Sequence, residues 1–512
     1  MAKLHPSSLR NRFAALPRAL RLLVPIALGG FAALGHEAWM TGFAAVSIAL
    51  TLAFLILPEH RRVAAWFGWL LGLGYFGVTL RWLIEPFLVD PMRHGWMAPF
   101  AILLMAGGLA LFWALAVWVS RWIAGRSASV MFWLPVTLAA AELARGHVLS
   151  GFPWGMLSYT LIGGVGDVWF AWVGPYGTNF LLLALLGAVS FCLHKGWTLV
   201  WPALVGVLVA TIGLQTLLPR SSDSASQSVV RIVQPNAPQH QKWDREWMPV
   251  FFDRAIELTG DGAAPDVVIW PETSVPALLD FAQPWMEQMS LAARGAPVVA
   301  GIQRREGDTY FNSAILIDQP ENVTAISDKA HLVPFGEYIP LAWLLEPVGL
   351  GTLVEQVAGF SPGTGDGLMQ IDGLGLARVL ICYEGIFPED MQRGEVRPDV
   401  LLIITNDAWF GMGAGPRQHL MQAQARAIEQ GLPVVRAANT GISAIIDPWG
   451  KVTDSLPLNE AGYLDAIVPH AIAPTMYSKM GDWPLFVLLS LCMFVGIARR
   501  KRIRIDEGGS QV

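Results

Sequence analysis

Eight apolar stretches constrain the fold of this chain more than any other feature of its sequence. A helix needs roughly 20 apolar residues to cross a hydrocarbon core of about 30 Å, because lipid cannot satisfy exposed backbone groups. Hydrophobic residues fill 54% of the 512 positions and charged residues only 15%. We therefore expect an α-helical membrane bundle of about eight transmembrane helices. The predicted spans lie near 19–35, 39–57, 64–86, 98–120, 128–145, 169–193, 197–218 and 482–498.

Basic residues in the short loops predict the orientation of these spans, since Lys and Arg are retained on the cytoplasmic side. They lie near the N-terminus, in alternate loops and after the last span, at Lys3, Arg10, Arg12, Arg18, Arg21, Arg61, Arg62, Arg121, Arg126, Lys195 and 499–502. This alternation places region 219–481 outside the cytoplasm. An alternative interpretation of the first apolar run is a cleaved signal peptide, but cleavage there would break the alternation of basic loops.

The region between the seventh and eighth spans has the pattern of an α/β protein. A polar, Ser-rich linker at 219–228 separates a seven-helix bundle at 1–218 from a domain at 229–470. Strands are predicted at 229–233, 266–270, 297–302, 313–317, 377–382, 400–405, 433–438 and 442–447, and helices at 244–259, 284–294 and 416–430. The alternation indicates a layered sandwich, followed by the last span at 482–498 and a cytoplasmic tail at 499–512.

A single cysteine in this globular region is the first candidate for chemistry. Cys192 and Cys492 fall inside predicted spans, where they are expected to pack as small apolar residues, which leaves Cys382. Cys382 and Glu272 each follow a predicted strand, so both side chains are expected at the rim of a sheet. A thiol nucleophile needs a base such as Glu272 and a cation such as Lys329 for the oxyanion. A buried, unreactive cysteine is the simpler alternative.

Three motifs join these residues through a resemblance to a known superfamily. WPET at 270–273, DKAHLVPFGEYIP at 328–340 and ICYEGIFPE at 381–389 resemble the Glu, Lys and Cys motifs of the nitrilase, or carbon–nitrogen hydrolase, superfamily. Other segments resemble the apolipoprotein N-acyltransferases, a membrane family of that superfamily. These are LVPFGE, NDAWFG at 406–411, RAANTGISAIIDPWG at 436–450 and GFPWGMLSY at 151–159. The likeness covers nearly the whole chain.

The resemblance implies an α-β-β-α sandwich and a role for each matching residue. Cys382 matches the nucleophile, Glu272 the general base, and Lys329 the residue that stabilises the oxyanion. The supporting positions it implies are Glu337, Tyr383, Glu384 and Trp243. We expect a monomer in the bacterial inner membrane, and the basic loops predict that its catalytic domain is periplasmic.

The same resemblance implies the two substrates. The acyl donor is expected to be a glycerophospholipid, and the acceptor the α-amine of the diacylglyceryl-cysteine that begins a lipoprotein. The acyl chain would pass through a thioester on Cys382. No cofactor or metal is expected, and the net charge of −5 gives no basic field for nucleic acid.

An apolar segment at 341–361 predicts a route for lipid to the site. Its sequence, LAWLLEPVGLGTLVEQVAGFS, is unusually apolar for an insertion between polar loops. We expect Trp343, Leu344 and Leu345, together with Trp409 and Phe410, to form a mobile lid that guides acyl chains. The alternative is a small hydrophobic core beneath a loop.

Several further polar residues are expected to be structural. Asn406, Asp407, Asn439 and Thr440 lie at strand ends, where their side chains typically bond local backbone. Arg426 and Arg436 are expected to be buried partners of carboxylates. Arg81, Glu142 and Arg145 near the spans either mark a substrate path or pair locally, since Glu142 and Arg145 are three positions apart on a helix.

Two other functions compete with acyl transfer. A membrane-tethered amidase or nitrilase would use the same three residues and release the acyl group to water. A transporter or binding protein with an inactive nitrilase-like domain would instead show inverted repeats and paired intramembrane charges, and neither pattern is convincing in this sequence.

Overall fold

The chain divides into two compact units, which are described here from a computed structural model. One unit comprises Met1–Leu218 and Thr475–Val512, and the other Pro219–Pro474. The structure describes residues 6–37, 42–195, 200–217, 228–319, 322–340 and 359–509.

In its described residues, the first unit is built mainly from α-helices, with short 3-10 helices and loops between them. Its helices are α1 (Pro6–Ala15), α2 (Arg18–Ala33), α3 (Gly42–Ile56), α4 (Arg61–Thr79), α5 (Pro91–His94), α6 (Ala98–Ala124), α7 (Val130–His147), α8 (Trp169–Lys195), α9 (Val200–Leu217), α13 (Met476–Met480) and α14 (Trp483–Gly509). Each of the eight predicted spans coincides with one of them. The apolar stretches therefore fold as helices.

Four of these helices are long and apolar enough to cross a membrane, among the residues that the structure describes. They cover Arg18–His36, Pro91–Ala124, Trp169–His194 and Trp483–Lys501, and Arg61–Thr79 with Arg81–Leu88 makes a fifth if this pair, bent by 48°, counts as one span. Eight complete spans are not confirmed. Helix α3, for example, has 15 residues, and at 1.5 Å per residue it is only about 23 Å long.

Two of the charged residues near the predicted spans form a buried ion pair inside α7. Arg145 Nη2 lies 2.6 Å from Glu142 Oε2, so the predicted local pairing is confirmed. Trp113 Nε1 donates to Glu142 Oε1 at 2.7 Å, and Arg145 donates to the carbonyls of Phe152 and Trp154. The pair thus ties the segment after α7 to the helix. Arg81, which is half exposed, pairs with Glu37 at 2.6 Å.

The second unit contains two six-stranded sheets. Its strands are β1 (Val229–Gln234), β2 (Val267–Ile269), β3 (Val298–Glu306), β4 (Thr309–Gln319), β5 (Asn322–Asp328), β6 (Leu368–Ile371), β7 (Gly375–Ile381), β8 (Val400–Thr405), β9 (Val434–Ala438), β10 (Ala444–Ile446), β11 (Val452–Ser455) and β12 (Gly462–Ile467). The strand orders are β12-β1-β2-β3-β4-β5 and β11-β10-β9-β8-β7-β6. Strands β1, β2 and β3 are mutually parallel, as are β7, β8 and β9.

Three hydrophobic cores order the layers of this unit. The first joins inward-facing residues of both sheets, such as Ile269 and Val379. The second packs α10 (Trp247–Gly260) and α11 (Gln283–Ala293) on the first sheet, and the third packs α12 (Ala414–Gln430) on the other. The result is the expected α-β-β-α sandwich, in which each sheet buries both faces.

The four strands absent from the sequence expectation are the edge strands β5, β6, β11 and β12. Each has a neighbour on one side only and is partly exposed, as in β11, where one residue is half-buried and three are exposed. Edge strands are short and polar in soluble domains, since these features discourage pairing with other chains. They therefore lack the continuous apolar run that identified the central strands.

Candidate active site

Glu272 lies three residues beyond β2, and both oxygens of its buried carboxylate accept hydrogen bonds. Its Oε1 accepts a hydrogen bond from Asn312 Nδ2 at 2.7 Å, and its Oε2 accepts one from the backbone N–H of Asn406 at 2.9 Å. Strand β3 comes so close that a Cβ on Gly301 would sit 2.6 Å from Glu272 Cα. The carboxylate is thus held between both sheets in one orientation.

Lys329 directly follows β5, and its side chain is only 1% exposed. Its Nζ lies 2.8 Å from Glu337 Oε1 and 3.5 Å from Glu272 Oε1. Burial alone would lower the pKa of Lys329, but the two carboxylates outweigh it and hold the pKa above its ordinary value. The ammonium therefore stays charged and is available to an oxyanion.

Cys382 begins the short 3-10 turn Cys382–Ile386 immediately after β7. Its φ of +52° is in the left-handed region, which residues other than glycine rarely adopt. Burial and the charge of Glu272 raise the pKa of the thiol well above its ordinary value, against the opposing effect of Lys329 and of Thr405. The resting thiol is thus protonated and needs a base to become a nucleophile.

Asn312 was missed by the sequence reasoning, although it connects the two glutamates. It lies on β4 and is buried, and its Nδ2 reaches Glu337 Oε1 at 3.2 Å in addition to Glu272. Glu337 Oε2 in turn accepts from the backbone N–H of Val333 at 2.7 Å. The only signal in the sequence was an amide at the start of an apolar strand.

Tyr383 and Glu384 follow the cysteine and are both buried. Glu384 Oε1 accepts from the backbone N–H groups of Ala330 and His331 at 2.9 and 3.2 Å, and its Oε2 accepts from that of Ile381 at 2.8 Å. Burial raises its pKa, and these hydrogen bonds oppose the rise. Glu384 thereby fastens the residues after Lys329 to the turn that carries Cys382.

A buried charge cluster lies behind this turn. Asp407 Oδ2 is 2.5 Å from Arg436 Nη2, and its Oδ1 is 2.9 Å from His419 Nδ1 and 3.0 Å from Thr405 Oγ1. Burial would raise the pKa of Asp407, but Arg436 and His419 lower it to about 2. The expected pairing of Arg436 is confirmed, as is that of Arg426, which contacts Glu429 at 2.5 Å.

The remaining expected positions occupy different environments. Trp243 is 45% exposed and Trp409 is 39% exposed, whereas Phe410 is buried and packs edge-on against His419. Of Trp409 and Phe410, the two expected access-route aromatics among the described residues, only Trp409 therefore presents a large surface. Trp343, Leu344 and Leu345 lie outside the described residues.

The structure thus brings Glu272, Lys329, Cys382 and Glu337 together at one end of the two sheets. A buried thiol, a fixed carboxylate and a charged ammonium can form and break an acyl–sulfur bond. The carbon–nitrogen hydrolase family model matches residues 229–476. By fold and site, this unit is a nitrilase-like domain of the carbon–nitrogen hydrolase superfamily.

The other comparisons narrow this class. The model of the apolipoprotein N-acyltransferase N-terminal domain matches residues 28–189. The apolipoprotein N-acyltransferase of Caulobacter vibrioides is 37% identical over 475 residues, or 88% of each chain. That of Rhodopseudomonas palustris is 34% identical over 94% of this chain and 95% of the relative. This chain belongs to the apolipoprotein N-acyltransferase family and is an acyltransferase.

Among solved structures, a carbon–nitrogen hydrolase from Helicobacter pylori is similar to this chain, with 13% sequence identity and a TM-score of 0.35. The match covers 51% of this chain and 94% of the Helicobacter pylori chain.

Proposed function

We propose that this chain moves a fatty acyl chain from a glycerophospholipid to the α-amine of the diacylglyceryl-cysteine at a lipoprotein N-terminus. The observation that carries the proposal is the convergence of Glu272, Lys329 and Cys382 in one buried site. The names of the relatives support N-acylation of an apolipoprotein, and the apolar helices of the first unit are consistent with lipid substrates.

In the first half-reaction, Glu272 takes the thiol proton and Cys382 Sγ attacks the ester carbonyl of the phospholipid. The carbonyl oxygen becomes an oxyanion beside the Lys329 ammonium, a fixed charge that needs no reorganisation as the negative charge develops. The C–O bond then breaks, and Glu272 returns the proton to the departing alkoxide. The products are lysophospholipid and an acyl thioester on Cys382.

In the second half-reaction, the amine of the acceptor attacks the thioester carbonyl. Glu272 accepts a proton from the nitrogen, the C–S bond breaks, and the thiolate regains a proton to restore Cys382. Water must be excluded while the thioester stands, because hydrolysis would turn the enzyme into a phospholipase.

Mass spectrometry of the Cys382 peptide tests the proposal. The intact protein in detergent is incubated with phospholipid alone and digested, and we expect the peptide to gain the mass of one acyl chain. A lipopeptide with a free N-terminal amine should then discharge it as an amide. Free fatty acid as the only product would identify a hydrolase instead, and acyl mass on Cys382→Ala protein would contradict the thioester.

The basic loops support a location for this chemistry as well. We propose that the nitrilase-like unit lies on the periplasmic side of the bacterial inner membrane and that the tail after the last helix is cytoplasmic. Segment 341–361, most of which lies outside the described residues, is proposed as the lid that admits acyl chains.

A further inference from the structure

A second buried lysine lies beside the site and has no assigned role. Lys242 is 7% exposed, and its Nζ donates to the backbone carbonyl of Glu272 at 3.1 Å and to Thr273 Oγ1 at 3.0 Å. Both acceptors are neutral, and among the described residues Lys242 forms an ion pair with no carboxylate. An ammonium costs much free energy to bury without a counter-charge, so its retention here needs a reason.

The first consequence of these contacts is geometric. Thr273 has a φ of +44°, a strained value for a β-branched residue. The next two backbone N–H groups, of Ser274 and Val275, both donate to the carbonyl of Gly301. Lys242 contacts the same turn through the carbonyl of Glu272 and the hydroxyl of Thr273. It therefore helps to hold the backbone that presents the Glu272 carboxylate.

The second consequence is electrostatic. Burial lowers the pKa of Lys242 to about 8, against the opposing influence of Glu272 and of Cys382 in its thiolate form. Coulombic interaction is mutual, so a protonated Lys242 favours the carboxylate of Glu272 and the thiolate of Cys382. The titratable groups that interact with Lys242 are Glu272 after β2 and Cys382 after β7. The ring centroid of Trp243 lies 5.6 Å from its Nζ, and Lys329 contacts Glu272 at 3.5 Å.

We propose that Lys242 is a positioning residue for acyl transfer, which fixes the Glu272 turn and adds a second positive charge to the site. This inference rests on the proposed function for its consequence in catalysis. Its electrostatic part applies to the Cys382 thiol whatever substrate the enzyme uses.

Alkylation of Cys382 by iodoacetamide tests the charge without any acyl substrate. The full-length protein carries Cys192→Ser and Cys492→Ser, so that only Cys382 reacts, and its rate is measured from pH 6 to pH 10. Lys242→Met should slow alkylation about fivefold below pH 8. The difference should vanish above pH 9, where the wild-type lysine has lost its proton.

Lys242→Arg is the matched control, because arginine stays charged across this range. Cys382 in the Lys242→Arg variant should be alkylated at the wild-type rate or faster. At pH 9 it should still react faster than Cys382 in the Lys242→Met variant. A merely structural lysine would give a Met/wild-type ratio that is constant with pH. Such a constant ratio, or equal rates at every pH, would overturn the proposal. The thermal unfolding temperature of each variant is measured as well, to show that the variant is folded.

Thioester formation from phospholipid then tests the consequence in catalysis. Outer residues that orient a reacting group typically contribute 10- to 100-fold, so Lys242→Met should lower kcat by about that factor with little change in KM. Lys242→Arg should recover part of it. Wild-type protein that forms no thioester would contradict the proposed function, whereas the alkylation result would still stand or fall by itself.

Discussion

At the scale of single residues, the site depends on a buried carboxyl group that is held in place by polar partners. Glu272 has three polar neighbours: Asn312, Lys329 and the backbone N–H of Asn406. These partners hold the carboxylate in a position from which it can accept the proton of a nearby thiol.

Replacement of Glu272 by Gln should therefore slow both half-reactions. General base catalysis typically contributes about 10²- to 10⁴-fold, and Gln keeps the shape of the side chain without the charge. Rates of thioester formation and discharge, each measured in single turnovers, check this expectation. Asp280→Asn, at an acidic residue in the same unit with no place in the site, should leave both rates unchanged. A variant impaired in only one half-reaction would contradict a base shared by both.

A second prediction at this scale concerns the stability of the nitrilase-like unit. Asp407→Asn would leave the buried Arg436 without its counter-charge, a change that typically costs about 3–5 kcal/mol. The pKa of Asp407 is lowered from 3.8 to about 2 in the folded protein. Its ionisation therefore stabilises the fold above about pH 4, and this contribution is lost as the pH falls towards 2.

Denaturant unfolding of wild type and Asp407→Asn at pH 7 and pH 3 measures this effect. The difference in the free energy of unfolding should be smaller at pH 3. Asp454→Asn, on an exposed edge strand, should change stability by less than about 0.5 kcal/mol. An Asp407→Asn penalty that is equal at both pH values would argue against the ionised carboxylate as its source.

At the scale of secondary structure elements, the proposed catalytic side chains lie just beyond strand ends. Glu272 follows β2, Lys329 follows β5 and Cys382 follows β7, so the hydrogen-bonded sheets fix where each backbone leaves the sandwich. Strand β5 is an edge strand with alternating exposure. The sequence predicted the lysine from its motif but did not predict the strand that positions it.

The lid proposal belongs to this scale, since it concerns one segment. Trp343, Leu344 and Leu345 replaced together by Ser should lower turnover of phospholipid in bilayers at least about tenfold, because an apolar surface for acyl chains is lost. A short-chain, water-soluble ester should be turned over as by the wild type, since it needs no such surface. Unchanged turnover of bilayer substrate would reject the lid, and equal loss with both substrates would indicate a small hydrophobic core instead.

At the scale of the whole molecule, the basic loops predict that the second unit and the C-terminal tail lie on opposite sides of the membrane. In a background without native cysteines, a membrane-impermeant maleimide should label Glu460→Cys in intact spheroplasts. Ser510→Cys in the tail should react only after lysis, because the tail is expected in the cytoplasm. Labelling of both positions, or of the tail alone, in intact spheroplasts would contradict the proposed orientation.

What the sequence determined by itself is what depends on neighbours along the chain. Long apolar runs predicted the helices of the first unit, central apolar strands predicted the sheets, and local motifs predicted Glu272, Lys329 and Cys382 as the candidate site. Hydrophobic periodicity and turn chemistry act over a few residues, so they are legible without a fold.

Tertiary structure alone decided the groups that meet across long separations. Asn312, the backbone N–H of Asn406, Lys242 and the pairing of Asp407 with Arg436 join positions between 29 and 134 residues apart. A buried hydrogen bond depends on the three-dimensional position of its partner, and nothing in the local sequence of Asn312 or Lys242 records that position. Strand pairing within each sheet brought most of these groups together, and the face-to-face packing of the two sheets added the hydrogen bond from Asn406 to Glu272.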